Sequence, residues 1–403
     1  MNIIYTSYAY WPPDFGGGML ITLHGLAELA ARGHQVTVLT AGKPDFASQE
    51  IRDQTTVRRS PFIGDARPMR LVRRIIFAFW VLWRLLRTPR GTAVHIGTLS
   101  GININFDMLI GWIAAFIVRL RGGQTIYVFT LAESEKNALE LGGLQGFMKR
   151  KFLKAMTRLV AISPGLRDAG NSLFPGKTAL VPRAVREDVF KPLSETERRR
   201  VRAELNLSAD DTVFVFLGTV GYRKGFDLLA DAFAALSTAH PNWKLLVVGP
   251  FESKDNRNVD SSEVESFISR LEGNQQVNFV GRIDDWSRVA ELLACSDVFV
   301  FPSRREGFGQ AVIQAMAAGL PVIVARLPGI TDVASIEGET GLYIPPGNAL
   351  ALQEAMNTLG QDDTLRRRMG AQARLRAVAG FGWQQYVDKW EALYAGRPFE
   401  NDN

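Results

Sequence analysis

A regular alternation in the second half of the chain constrains the fold more than any other feature. Short apolar runs occur at TVFVFLG (212–218), KLLVVGP (244–250), VNFVG (277–281), DVFVFPS (297–303) and PVIVA (321–325). Between them, FDLLADAFAAL (226–236) and WSRVAELLA (286–294) place apolar residues at helical spacing. Strands that alternate with helices form βαβ units, and these build a parallel, doubly wound sheet. Strands that are apolar along their whole length belong to a sheet covered on both faces. The fold class is therefore α/β.

The first half repeats the scheme. Candidate strands are NIIYTS (2–7), QVTVLT (35–40), AVHIG (93–97), TIYVFT (125–130), RLVAIS (158–163) and TALVP (178–182). LITLHGLAELAARG (20–33) reads as an amphipathic helix with Gly33 as its stop. The chain has 403 residues, which exceeds one ordinary core and fits two domains of roughly 150–200 residues. The expected division is 1–188 and 189–382, with a final aromatic-rich helix in 383–403.

Both halves open with a strand, a glycine-bearing turn and a helix. The turns are PPDFGGGM (12–19) and GTVGYRKG (218–225). Glycine lets a backbone approach a phosphate, and a helix N-terminus favours its charge. Glycine in such a turn also serves purely structural ends, and neither turn has the G-x-G-x-x-G spacing. In PSRREGFGQAVIQAMAAGLPVIVA (302–325), Glu306 follows a strand end, where ligands bind in open α/β sheets. Gln314 follows eight residues later, a step of roughly 10–12 Å along a helix. That spacing suits two groups gripping an extended ligand. It is too long for two groups attacking one bond.

This last run resembles the acid-x7-acid signature of the retaining GT-B glycosyltransferases of family 4. GGGMLITLHGLAELAARGHQVTVLT resembles the family's first loop, helix and second strand, and LGTVGYRKGFDLLADAF its lysine-bearing phosphate loop. SDVFVFPS, LPGITDV and TGLYIPPGNALALQEAM follow in the family's order. The resemblance implies two Rossmann-like domains facing across a cleft: an acceptor-side domain first, then a domain that holds a nucleotide-sugar donor. It implies that the last helix returns to the first domain. The activity implied is retaining glycosyl transfer without a metal or cofactor, from a UDP- or GDP-sugar. The sequence contains no D-x-D and only four histidines. On matching positions, Glu306 is expected to bind donor sugar hydroxyls, and Lys224 to neutralise the diphosphate as it leaves. The backbone at Phe308, Gly309 and Gln310 is expected to meet the sugar and phosphate. Gly17 and Gly18 would let the first domain approach the same diphosphate.

Five positions depart from the family pattern. Gln314 stands where a second acid grips the ribose; an amide there exchanges a charged contact of about 1.5–3 kcal/mol for a neutral one of about 0.5–1.5 kcal/mol. Nucleotide binding about tenfold weaker is the expectation. Thr219 replaces an arginine that joins the lysine on the phosphates, with Arg223 as a compensating candidate. Adjacent loop residues such as Arg223 and Lys224 are not expected to share a direction. Ala132, beside Glu133 in FTLAESE, replaces a histidine that touches the donor's 6-hydroxyl, and Arg183-Ala184 replaces Asn-Gly. Three readings follow: an ordinary active transferase with a common hexose donor, an active enzyme with an unusual donor such as a pentose or 6-deoxyhexose, or a degraded donor site in a non-catalytic partner of another enzyme.

Charge adds a further expectation. Residues 1–190 hold 24 Lys+Arg and 13 Asp+Glu, which is +11; subtraction from the totals of 47 and 41 leaves 23 and 28, or −5, for the rest. A basic first half faces something anionic. RPMRLVRRIIFAFWVLWRLLRTPR (67–90) is acid-free and rich in arginine and tryptophan, the pattern of a helix lying in a membrane interface. Its membrane candidates are Arg70, Arg73, Arg74, Trp80, Trp83, Arg84 and Arg87. GFMKRKFLKAMTR (146–158) is a second basic stretch. Nothing in the chain resembles a nucleic-acid module. IIFAFWVLW (75–83) and MLIGWIAAFIV (108–118) are shorter than the ~20 residues that span a bilayer. The first strand does not read as a secretion signal. A cytoplasmic protein peripheral to the inner membrane face, acting on a lipid-linked glycan, is the expectation. Cys295, the single cysteine, is expected to be buried and inert.

Overall fold

The computed structural model describes residues 1–8, 17–64, 66–97, 99, 104–129, 143–251, 261–328, 330–331 and 334–397. The chain forms two compact units, Met1–Pro182 with Gln384–Asn403, and Arg183–Trp383.

The sheet of the first unit contains β1 (Asn2–Thr6), β2 (Gln35–Thr40), β3 (Gln49–Arg52), β4 (Thr55–Arg59), β5 (Ala93–Ile96), β6 (Gln124–Phe129), β7 (Arg158–Ala161) and β8 (Thr178–Leu180), in the order β3-β4-β2-β1-β5-β6-β7-β8. Its helices are α1 (Gly17–Ala31), α2 (Arg67–Leu85), α3 (Ile104–Leu120), α4 (Gly143–Ala155) and α5 (Pro164–Leu173). Gly33 takes φ +87° just past α1, the left-handed stop that glycine supplies without strain. Only β3 and β4 pair antiparallel among these strands. The sequence reading missed that hairpin. QEIR and TTVRR lack an apolar run because the pair lies at the sheet edge. Asp53 and Gln54 both take positive φ, as a two-residue hairpin turn requires.

The second unit carries β9 (Thr212–Leu217), β10 (Trp243–Val248), β11 (Val277–Gly281), β12 (Val298–Phe301), β13 (Val322–Ala325) and β14 (Gly341–Ile344). All pairings are parallel, in the order β11-β10-β9-β12-β13-β14. Around it run α6 (Glu195–Glu204), α7 (Phe226–Ser237), α8 (Ser261–Ile268), α9 (Trp286–Ala294), α10 (Gln310–Ala317), α11 (Ala349–Gln361) and α12 (Asp363–Phe381). β9, β10, β12 and β13 are buried almost throughout, as their unbroken apolar runs require. Asp297, just before β12, accepts from Arg198 at 2.7 Å and Arg202 at 2.6 Å, tying α6 to the sheet. Cys295 is fully buried, and burial pushes its thiol up to about 11.

The last helix, α13 (Trp383–Tyr394), packs within the first unit from Gln384 onward. Arg32 bridges Asp388 at 2.7 Å and Glu391 at 2.6 Å. His95 of β5 is buried, stacks on Trp390 at 4.9 Å and meets the Tyr394 hydroxyl at 3.0 Å. No helix among the described residues is long and apolar enough to cross a membrane.

Candidate active site

In the second sheet the chain leaves β9 toward β10 on one side, and β12 toward β13 on the other. Neighbouring strands with diverging connections make a switch point, so the loops after β9 and β12 open side by side at the carboxyl ends. These loops are GTVGYRKG and PSRREGFG. Gly225 makes their contact possible. It takes φ +71°, and a Cβ there would lie 2.0 Å from the Pro302 carbonyl oxygen.

Two residues the sequence reading passed over lock the loops together. Arg304 donates from both terminal nitrogens to Asp227 at 2.6 and 2.7 Å and lies over the Tyr222 ring at 3.7 Å. Its backbone N–H donates to the Arg223 carbonyl at 2.9 Å. Ser303 Oγ lies 3.1 Å from the same carbonyl oxygen. Both residues lie inside the quoted motif, but their partners are roughly eighty positions away in sequence, so local pattern held no sign of the pairing.

The locked loops converge on one oxygen. Glu306 Oε1 accepts from Lys224 Nζ at 2.5 Å, Ser303 Oγ at 3.0 Å and Arg223 at 3.2 Å. Among the described residues, Oε2 has no partner. Arg223 and Lys224 therefore do share a target, because the 3₁₀ turn Tyr222–Lys224 sits beside the carboxylate. Lys224 also lies over the Phe301 ring at 4.7 Å. Burial lowers the Lys224 ammonium from its ordinary range, the Glu306 charge opposes this, and Arg223 adds to the lowering. Such a cation gains from any further negative charge brought to it.

The remaining candidates fall into distinct settings. Phe308 is buried edge-on against Phe381, with ring centres 5.8 Å apart. Its side chain serves the core and only its backbone is left for a ligand. Gly309 takes φ +69° and opens α10. Gln310 turns Nε2 to the Ala184 carbonyl at 2.8 Å, while its Oε1 is buried without a partner. Gln314, also on α10, is buried, and its amide makes no hydrogen bond among the described residues. Thr219 is half-buried within the first loop. Gly17 and Gly18 are the first residues of α1. Ala132 and Glu133 lie outside the described residues.

The membrane candidates on α2 divide. Arg70, Trp83 and Arg87 are exposed. Arg73 donates to the Tyr8 hydroxyl at 3.1 Å, and Arg74 lies over the Tyr8 ring at 5.6 Å. Trp80 is half-buried near Phe77, and Arg84 lies between the Trp80 and Trp83 rings at 5.4 and 5.5 Å. Exposed Trp112 and Phe116 of α3 and Phe147 of α4 were not singled out from sequence. α3 packs against both α2 and α4.

Known proteins agree with this architecture. Residues 197–376 match the family described as "Glycosyl transferases group 1", and residues 16–184 match "Glycosyl transferase 4-like domain". A capsular polysaccharide biosynthesis glycosyltransferase, CapM of Staphylococcus aureus, is 27% identical over 71% of this chain and 73% of its own. The N-acetyl-alpha-D-glucosaminyl L-malate synthase of Bacillus anthracis is 28% identical over 95% of this chain and 94% of its own. D-rhamnosyltransferase WbpZ of Pseudomonas aeruginosa is 30% identical over 56% of each. Sucrose-phosphate synthase from Thermosynechococcus elongatus superposes with TM-score 0.77 at 25% identity, covering 98% of both chains. Anabaena HepE, solved with UDP and glucose, superposes at 0.74 and 18% identity, covering 98% of this chain and all of its own. With two parallel-sheet units and matches along both halves, the chain belongs to the family 4 (group 1) glycosyltransferases of GT-B fold.

Proposed function

We propose that this protein transfers a sugar from a nucleotide-sugar donor to a lipid-linked glycan, retaining the anomeric configuration and using no metal ion. The observation that carries the proposal is the divided state of Glu306. Two cations and a hydroxyl hold Oε1, and Oε2 is left to accept from donor sugar hydroxyls. Lys224 makes one hydrogen bond to Glu306, and an ammonium has three donors. Its remaining N–H groups are available to a diphosphate, whose departing charge they would stabilise. With Oε1 held by Lys224 and Arg223 and Oε2 given to sugar hydroxyls in this proposal, neither oxygen of Glu306 is left to attack the sugar. Retention is then best served by acceptor attack on the face from which the leaving group departs, with the donor phosphate taking the acceptor proton. A covalent sugar adduct trapped on a side chain would overturn that step.

UDP and GDP are the nucleotides of choice. The rhamnosyltransferase name borne by one relative, together with Ala132, keeps a 6-deoxyhexose beside the common hexoses as donor sugar. The inner face of the cytoplasmic membrane is the proposed site of action. Exposed Phe79 and Trp83 on α2, with Trp112 and Phe116 on α3, support it. Arg70 on α2 and Arg87 in the turn just after it are exposed, and each basic residue near an anionic surface adds about 1 kcal/mol.

The testing experiment is a calorimetric screen of UDP, GDP, ADP, TDP and CMP, with and without attached sugars, against the wild type and Lys224→Ala. One nucleotide bound at micromolar concentration, and weakened in the variant, supports the proposal. No binding to any of them transfers support to a degraded donor site acting as partner of another enzyme.

A further inference from the structure

At the first sheet, within the first unit, lies a cavity of about 210 Å³. Its floor follows the strand period. Gln35, Thr37 and Leu39 of β2 line it, and Arg58 of β4 sits in register with Leu39. Gln35 is exposed and Thr37 half-buried, so the floor is polar toward its open end. Its wall is Arg84 at the C-terminal end of α2, with Arg87 and Thr88 of the turn that follows.

Three arginines line this space and no acid does. The Nε atoms of Arg58 and Arg84 are buried without any hydrogen-bond partner. No ion pair forms at Arg58, Arg84 or Arg87 among the described residues. Burial lowers the Arg84 guanidinium, and the Arg58 and Arg87 charges lower it further. Like charges gathered around a cavity with unsatisfied donors are costly unless an anion joins them. Carboxylate binds one fork well, whereas a tetrahedral phosphate offers oxygens to several guanidinium groups at once.

We propose that Arg58, Arg84 and Arg87 form a phosphate-binding pocket in the first unit, separate from the donor loops and taking a phosphate monoester or inorganic phosphate. The source is either a lipid headgroup or a soluble phosphate, and the chemistry of capture is the same. Occupation neutralises the end of α2, the helix that presents Phe79 and Trp83 to solvent.

Thermal melting in phosphate-free buffer, with inorganic phosphate titrated against chloride at matched ionic strength, tests the pocket. Wild type and Lys224→Ala are expected to melt higher with phosphate, by the same shift. Arg84→Met is expected to fold at least as stably without phosphate, since it removes an unpaired charge, and to bind phosphate at least about tenfold more weakly. Arg58→Gln gives the same readout from the strand side if Arg84→Met fails to fold. Sedimentation with vesicles of equimolar phosphatidylcholine and phosphatidic acid, against equimolar phosphatidylcholine and phosphatidylglycerol, separates the sources. A preference for phosphatidic acid that Arg84→Met loses supports a lipid headgroup; equal binding alongside a retained phosphate shift supports a soluble phosphate. The pocket is overturned if neither phosphate nor phosphatidic acid discriminates wild type from Arg84→Met. It is equally overturned if the phosphate shift disappears in Lys224→Ala.

Discussion

At the scale of single residues, Glu306 is held by charge, and in the proposed mechanism it also works by charge. Glu306→Gln keeps the shape but gives Lys224 and Arg223 a neutral partner. It also replaces an acceptor that faces sugar hydroxyls in the proposed mechanism. Turnover is expected to fall at least ~10²-fold, measured as kcat with the donor identified by the nucleotide screen; near-normal turnover removes Glu306 from the chemistry. Gln314 is the opposite case, a buried amide without a hydrogen-bond partner among the described residues. If it is a weak substitute for an acid, Gln314→Glu tightens nucleotide binding by about tenfold, read by calorimetry. Unchanged or weaker binding means the surroundings have been rebuilt around the amide. Cys295 is a control. With its thiol pushed up to about 11, it is expected to resist an alkylating reagent near neutral pH in the native state and to react once the chain is unfolded.

At the scale of elements, the loops after β9 and β12 depend on the Arg304–Asp227 pair, which is mostly buried on both sides. Arg304→Ala leaves Asp227 unpaired, a loss on the order of 3 kcal/mol, and frees the loop that carries Glu306. Both the melting temperature and kcat are expected to fall, whereas Asp227→Asn, which keeps one hydrogen bond, is milder in both. The outer faces of α2 and α3 make a second element-scale prediction. Phe79→Ser with Trp112→Ser removes exposed apolar area that no described residue covers. Binding to anionic vesicles is expected to weaken by about tenfold or more, with nucleotide affinity unchanged. Unaltered vesicle binding would remove these faces from the proposed membrane contact. Raised salt is expected to weaken the wild-type interaction, because Arg70 and Arg87 act through a screened field.

At the scale of the whole molecule, α13 closes the first unit with the last stretch of the chain. Tyr386, Trp390, Leu393 and Tyr394 are nearly all buried, and such side chains contribute roughly 1.5–3 kcal/mol each. Ending the chain after Gly382 is expected to unfold the first unit, seen as lost near-ultraviolet dichroism, while Arg183–Gly382 retains its own transition. The sequence alone was enough for the α/β class and for eleven strands in nearly their observed places, because buried parallel strands are apolar along their length and glycines mark their ends. It missed β3, β4 and β14, where edge position or partial exposure leaves polar side chains in the strand. It also placed Glu306 and Lys224 in the two critical loops, since strand order follows from connection and loops at a switch point must face each other. What it left undecided was direction. Whether Arg223 reaches the carboxylate, which oxygen of Glu306 stays open, and whether Arg84 points to solvent or into a cavity with Arg58 depend on contacts between residues far apart in sequence. Those contacts exist only once both sheets have formed, because packing selects one rotamer from several that the local chain allows equally.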